Sequence, residues 1–166
     1  MSKFDDLLDR VKKTPDKSLP RAIRAVAAIY DDLILECSVI PDEGIRFLLA
    51  LFSDIRVLHS RGIEHFLLEI NVDFHKYTQD QRDRLLSVLI DGASHISDQL
   101  GRHSVGDLIA RAYPSDVAFK ALEEIAKRGL LGRRVAFAGF DVLRMQRSKD
   151  VAFHEKVMCK WRELQS

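Results

Sequence analysis

The sequence predicts an all-α protein of stacked antiparallel helical hairpins, an α-solenoid, with an irregular helical bundle as the alternative packing. Three observations carry this reading. Apolar residues recur at the three- and four-residue spacing of amphipathic helices through most of the chain. Gly and Pro are sparse, at 8 and 4 of 166 residues, too few for the turns of a loop-rich sandwich. Two-helix units span 18–53, 78–113 and 114–149, each 36 residues long, within the range of helical-hairpin repeats.

Residues 2–13 place Phe4, Leu7, Leu8 and Val11 on one face and Asp5, Asp6, Asp9 and Lys12 opposite, as an amphipathic capping helix requires. Thr14-Pro15-Asp16 stops it. Ser18 is the expected N-cap of the next helix, with Pro20 in its first turn and Ile23, Val26, Ala27, Tyr30, Ile34 and Cys37 along its face. Pro41-Asp42-Glu43 opens a third helix bearing Ile45, Leu48, Leu49 and Phe52, extended to Ile55. Gly62 precedes a fourth element with Ile63, Phe66, Leu67 and Ile70, and 71–77 reads as a connection.

Thr78 and Gln81 have the spacing of a capping box, in which each side chain satisfies the other residue's free backbone N–H. The helix that follows buries Leu85, Leu86, Leu89 and Ile90, and the next carries Val105, Leu108, Ile109 and Ala112. Tyr113-Pro114-Ser115-Asp116 is the clearest boundary, with Ser115 as the expected cap. Val117, Ala121, Leu122 and Ile125 form the next face, closed by Lys127-Arg128-Gly129. Helices over 131–147 and 150–164 complete the chain, the second a cap anchored by Val157, Met158, Trp161 and Leu164. Residues 135–140 also fit a short buried strand. Helix is preferred, because no second strand exists to pair its backbone, and Gly139 then permits close helix approach.

Hydrophobic residues at 46% and charged residues at 31% are the values of one globular domain and exclude a disordered chain. The N-terminal stretch lacks the apolar core of a signal peptide. The longest apolar run, Phe47 to Phe52, is far short of the roughly 20 residues that span a bilayer. A cytoplasmic protein of bacterial size is expected, with Cys37 and Cys159 as half-buried free thiols. Net charge is only +1, yet residues 61–119 carry 6 Lys/Arg against 9 Asp/Glu while 120–166 carry 11 against 6. Such an imbalance steers charged partners.

No catalytic motif is recognisable: there is no phosphate loop, HExxH, GxSxG or Cys/His cluster at zinc spacing. The expectation is a binding protein without catalytic residues, metal or cofactor. His65 and Glu69 lie one helical turn apart beside Glu64, but a di-iron bundle needs Glu-x-x-His pairs on two helices, and none is present. Asp31, Asp32, Glu36, Asp42, Glu43, Glu64, Glu69 and Asp73 form a candidate acidic face for a basic partner. Arg133, Arg134, Arg144 and Arg147 are an alternative anion-binding set, since guanidinium groups suit phosphate and carboxylate, and with them the alternative function is a nucleic-acid- or phosphate-binding helical module using the basic C-terminal third. Near-zero net charge and few interleaved aromatics argue against nucleic acid.

The run from Leu58 through Gly62 to Leu68, the leucine-rich stretch Arg84-Leu85-Leu86-Ser87-Val88-Leu89, and Leu108–Tyr113 leading into Ala121–Ile125 together resemble a known style of protein. Over about residues 44–128 the chain is similar to the small HEAT-like immunity proteins of bacterial polymorphic-toxin and contact-dependent growth inhibition systems. That resemblance implies a cytoplasmic toxin inhibitor that occludes the active site of one cognate toxin domain by protein–protein interaction. It assigns no residue roles, because such families share a scaffold and vary the contact surface.

Overall fold

The side chain of Ser2 accepts from the backbone of Asp5 while the Asp5 carboxylate accepts from the Ser2 N–H, and this reciprocal cap starts the first helix. The structure is a computed structural model that describes residues 2–166. Its helices are α1 (Lys3–Lys13), α2 (Leu19–Ile34), α3 (Asp42–Phe52), α4 (Ile55–Leu58), α5 (Glu64–Val72), α6 (Gln79–Gly92), α7 (Gln99–Ala112), α8 (Ser115–Ala126), α9 (Gly129–Gln146) and α10 (Val151–Gln165). Three short 3-10 turns lie between them, and no strand occurs among the described residues. Residues 135–140 are helical, inside α9.

Consecutive helices alternate between two layers. α1, α3, α6 and α8 are neighbours in one, and α2, α5, α7 and α9 in the other, with α10 laid on α9 at the end of the stack. The spans 78–113 and 114–149 hold α6–α7 and α8–α9, and 18–53 holds α2–α3. The terminal helix α1 packs directly on both α2 and α3.

Connections are short, so neighbours in sequence run antiparallel and all helices of a layer point the same way. Hydrogen bonds at the two edges establish this direction. At one edge, the Lys76 ammonium donates to the Ile34 and Leu35 carbonyls (3.1 and 3.2 Å), Gln81 Nε2 to the Ile40 carbonyl (2.8 Å), and the Tyr113 hydroxyl to the Arg82 carbonyl (2.7 Å). At the other, Arg56 pairs with Asp16 (2.7 Å), the Ser97 N–H bonds the Leu58 carbonyl (3.2 Å), and Arg128 pairs with Asp91 (3.0 Å).

One continuous core joins the layers. At its N-terminal end the Tyr30 ring is 5.5 Å from Phe47, 5.7 Å from Phe4 and 5.9 Å from Phe66, and its hydroxyl meets that of Tyr77 at 3.0 Å. Burial raises the phenol pKa of both tyrosines, so the pair stays neutral. Gln81, buried in this region, completes the Thr78 capping box while it holds the Ile40 carbonyl.

Several local expectations are corrected. Ser18 lies in a 3-10 turn and makes no cap bond, because Pro15 to Ser18 already form a turn that runs straight into α2. Pro114, not Ser115, is the residue before α8. Ile55 leaves α3 and starts α4 behind an Asp54 cap, and is 46% exposed. Val117 stays at the surface while Ala118 and Phe119 are buried. The α5 helix reaches Val72. Cys159 is exposed; Cys37 is half-buried. Among the described residues, no helix is long and apolar enough to cross a membrane.

Gly106 and Gly139 let α7 and α9 touch backbone to backbone. A Cβ on Gly106 would lie 2.6 Å from the Val135 carbonyl oxygen and 2.7 Å from the Gly139 nitrogen. Both obstacles are main chain and cannot rotate away. Gly106→Ala is therefore expected to cost about 1–3 kcal/mol and to lower the melting temperature by about 3–10 °C; calorimetry showing an unchanged midpoint would refute the contact.

Candidate functional site

In the layer α1, α3, α6 and α8, every helix starts with acids: Asp5 and Asp6, Asp42 and Glu43, Asp80, and Asp116. That complements the helix dipole. The other layer departs from the rule. α2, α7 and α9 have no acid in the first turn, and neither α2 nor α5 has a base in the last. Arg21, Arg24, Arg133 and Arg134 lie near the starts of helices, whereas Asp31, Asp32, Glu69 and Asp73 lie near ends.

Because the layers run in opposite directions, both patterns add up at the edges. Segments 2–7, 27–47, 69–85, 107–120 and 140–158 form one edge, with 16 Asp/Glu against 11 Lys/Arg. Segments 8–26, 48–68, 86–106, 121–139 and 159–166 form the other, with 9 against 15. The sequence divided its charge by thirds of the chain. The fold divides it by helix ends.

On the acidic edge, Asp31 from α2 meets Glu69 and Asp73 from the end of α5. One carboxylate oxygen of each lies within 4.8 Å of the others, and all three are half-buried. Burial first, then the Asp31 carboxylate, which also bonds it, and Asp73 hold the Glu69 carboxyl above its ordinary range. The Lys76 ammonium, 3.6 Å from Asp73, supplies a fixed positive charge beside them. Asp32, Glu36 and Asp42 are exposed, and Glu43 is half-buried at the start of α3. Between these acids stand exposed apolar side chains at the same corner: Leu35 (62% exposed), Val39 (54%) and Val72 (70%). The corner thus combines exposed apolar side chains with a polar, acidic rim.

Glu64 is not part of this group. It sits at the opposite edge, accepts from the Gly62 N–H at 3.1 Å and lies 3.8 Å from His65. The local reason is Gly62, whose φ of +111° turns the chain into α5 and brings its amide under the Glu64 carboxylate. Glu64, His65 and Glu69 therefore do not converge, since Glu69 faces Asp31. Among the described residues, Asp31, Glu69 and Asp73 are the group whose oxygens lie close enough to hold a cation, and Lys76 already offsets part of their charge.

The four arginines of the alternative set are divided. Arg133 and Arg134 line a groove between α7, α9 and the last turn of α10. Arg144 instead pairs with Asp141 (2.8 Å) and lies 4.3 Å over the Trp161 ring. Arg147 ends α9 in left-handed conformation (φ 49°) beside Ser148 and His154. Sequence reasoning missed Arg102 and His103, which join Arg133 and Arg134 in the groove. It also missed that Asp31 meets Glu69 and Asp73 across about 40 residues. The available signal was acid at the ends of α2 and α5, against the dipole.

The repulsion fixes a pH dependence. Glu69 binds its proton more tightly folded than unfolded, so its contribution to stability is present below the ordinary glutamate pKa, 4.5, and is lost as pH rises through the raised value. Glu69→Gln is expected to raise the melting temperature at pH 7 and to leave less difference from the parent at pH 4; a lower melting temperature at pH 7 would show the carboxylate to be stabilising.

No family model matches this chain, and neither a curated protein nor a solved structure does.

Proposed function

We propose that the chain is a protein-binding immunity protein whose acidic edge docks on, and occludes, the basic active site of a cognate bacterial toxin domain. The observation that carries this reading is the Asp31–Glu69–Asp73 cluster beside exposed Leu35, Val39 and Val72. Like charges held together are a standing cost in the free protein, and a Lys or Arg from a partner removes it. The apolar residues supply area that loses water on contact, while the surrounding acids steer approach and exclude acidic partners. Nuclease toxins carry basic clefts for phosphate backbones, and a row of carboxylates on a rigid helical edge imitates that backbone in charge. An acidic edge with apolar residues repels nucleic acid itself.

The test is growth rescue and association kinetics with the toxin domain encoded beside the gene. The intact chain is expected to restore growth. Asp32→Lys with Glu36→Lys, both exposed, is expected to slow association about tenfold or more at low ionic strength, with the difference shrinking in high salt. Absence of a neighbouring toxin gene, or rescue and kinetics indifferent to the double charge reversal, overturns the reading.

A further inference from the structure

A groove lies on the opposite, basic edge. It has a volume of about 650 Å³, within the range of small-ligand sites, and lies where the first turns of α7 and α9 meet the last turn of α10. Arg102 forms part of its wall and is only 9% exposed. Its partners are neutral: Nη1 donates to the Ile96 carbonyl at 3.3 Å and the Ser97 carbonyl at 2.5 Å. Nε and Nη2 make no hydrogen bond, and no carboxylate lies within ion-pair distance, among the described residues. Its two carbonyl partners occupy Nη1 alone, so Nε and Nη2, which keep contact with water, are free to donate to an anion.

Arg133, half-buried, and Arg134, exposed, reach the same groove from α9 and likewise have no acidic or hydrogen-bonding partner among the described residues. Neither α7 nor α9 puts an acid in its first turn, and the acid just before α7, Asp98, lies 3.9 Å from Arg61 and makes no ion pair with these three guanidinium groups. His103 adds a fourth nitrogen donor. Planar forks of this kind suit phosphate oxygens two at a time.

The remaining wall is mixed: Leu130, Phe137 and Leu164 give it an apolar part, beside polar Gln99, Gln165 and Ser166. Leu130 is 65% exposed at the groove, and Phe137 lines it while stacking on Trp161 at 6.2 Å and an interplanar angle of 18°. A flat apolar surface beside a phosphate-binding corner fits a planar group joined to phosphate. We propose that this groove binds a nucleoside di- or triphosphate, its phosphates on Arg102, Arg133 and Arg134 and its base against Leu130 and Phe137. The site is independent of the acidic edge, which lies at the other ends of the same helices. A bound nucleotide there leaves that edge free for its partner.

Trp161, the one tryptophan of the chain, is the reporter, because Phe137 lies between it and the groove. Tryptophan fluorescence of the full chain is titrated with ADP, with inorganic pyrophosphate and with a short single-stranded oligonucleotide. ADP is expected to give a saturable change, with pyrophosphate competing more weakly. Arg133→Gln with Arg134→Gln is expected to weaken ADP about tenfold or more at an unchanged melting temperature, and Arg147→Gln to leave it unaltered. Phe137→Leu is expected to weaken ADP and spare pyrophosphate; because this substitution also changes the tryptophan's surroundings, its affinities are read by calorimetry. The proposal falls if ADP gives no saturable change, if the double variant binds it as tightly as the parent, or if the oligonucleotide binds and ADP does not displace it.

Discussion

The whole architecture depends on one constraint: each helix buries an apolar face, and the connections are too short to let the next helix run any way but back. Amphipathic helices joined so closely stack as two layers, and every helix of a layer then points the same way. The backbone contact of Gly106 with Gly139 brings α7 and α9 together, and the Tyr30 aromatic cluster fills the other end. Neither contact needs a pocket or a bound group. Function in such a fold is written on surfaces.

The same constraint sorts charge. Helices α1, α3, α6 and α8 follow the dipole rule, placing acids at one edge, and α2 and α5 reinforce that edge by ending in acids. Each such violation costs about 0.3–1 kcal/mol near a helix end, and the partial burial of Glu69 against Asp31 adds to it. Residues kept at a cost to the free fold are where a partner's contribution is to be sought. A chain with a net charge of only +1 thus presents two strongly different faces.

The period of the apolar residues made the helical class legible, together with most boundaries, because Pro41, Thr78, Pro114 and Gly129 act locally. Thr78 and Gln81 were readable as a cap; the further bond from Gln81 to Ile40 was not, since it joins residues 41 apart. Ser18 misled, because a serine before a proline-bearing turn looks like a cap even where the preceding turn removes the need for one. The acidic set was legible except in its geometry: Asp31, Glu69 and Asp73 converge only when α2 and α5 are parallel. The basic cluster was legible in composition and divided by the fold, as Arg144 turned to Asp141 and Trp161. Arg102 went unnoticed because a single arginine in a mixed stretch carries no pattern.

The central claim is that antiparallel stacking produces two edges of opposite potential. Near-surface potentials measured by NMR, from relaxation of backbone amides by paired cationic and anionic paramagnetic cosolutes, test it without any partner or ligand. Amides of residues 31–43 and 69–80 are expected to report negative potential, and those of 10–24, 61–65 and 128–134 positive potential. The same sign at both edges, or values near zero at each, would contradict the account.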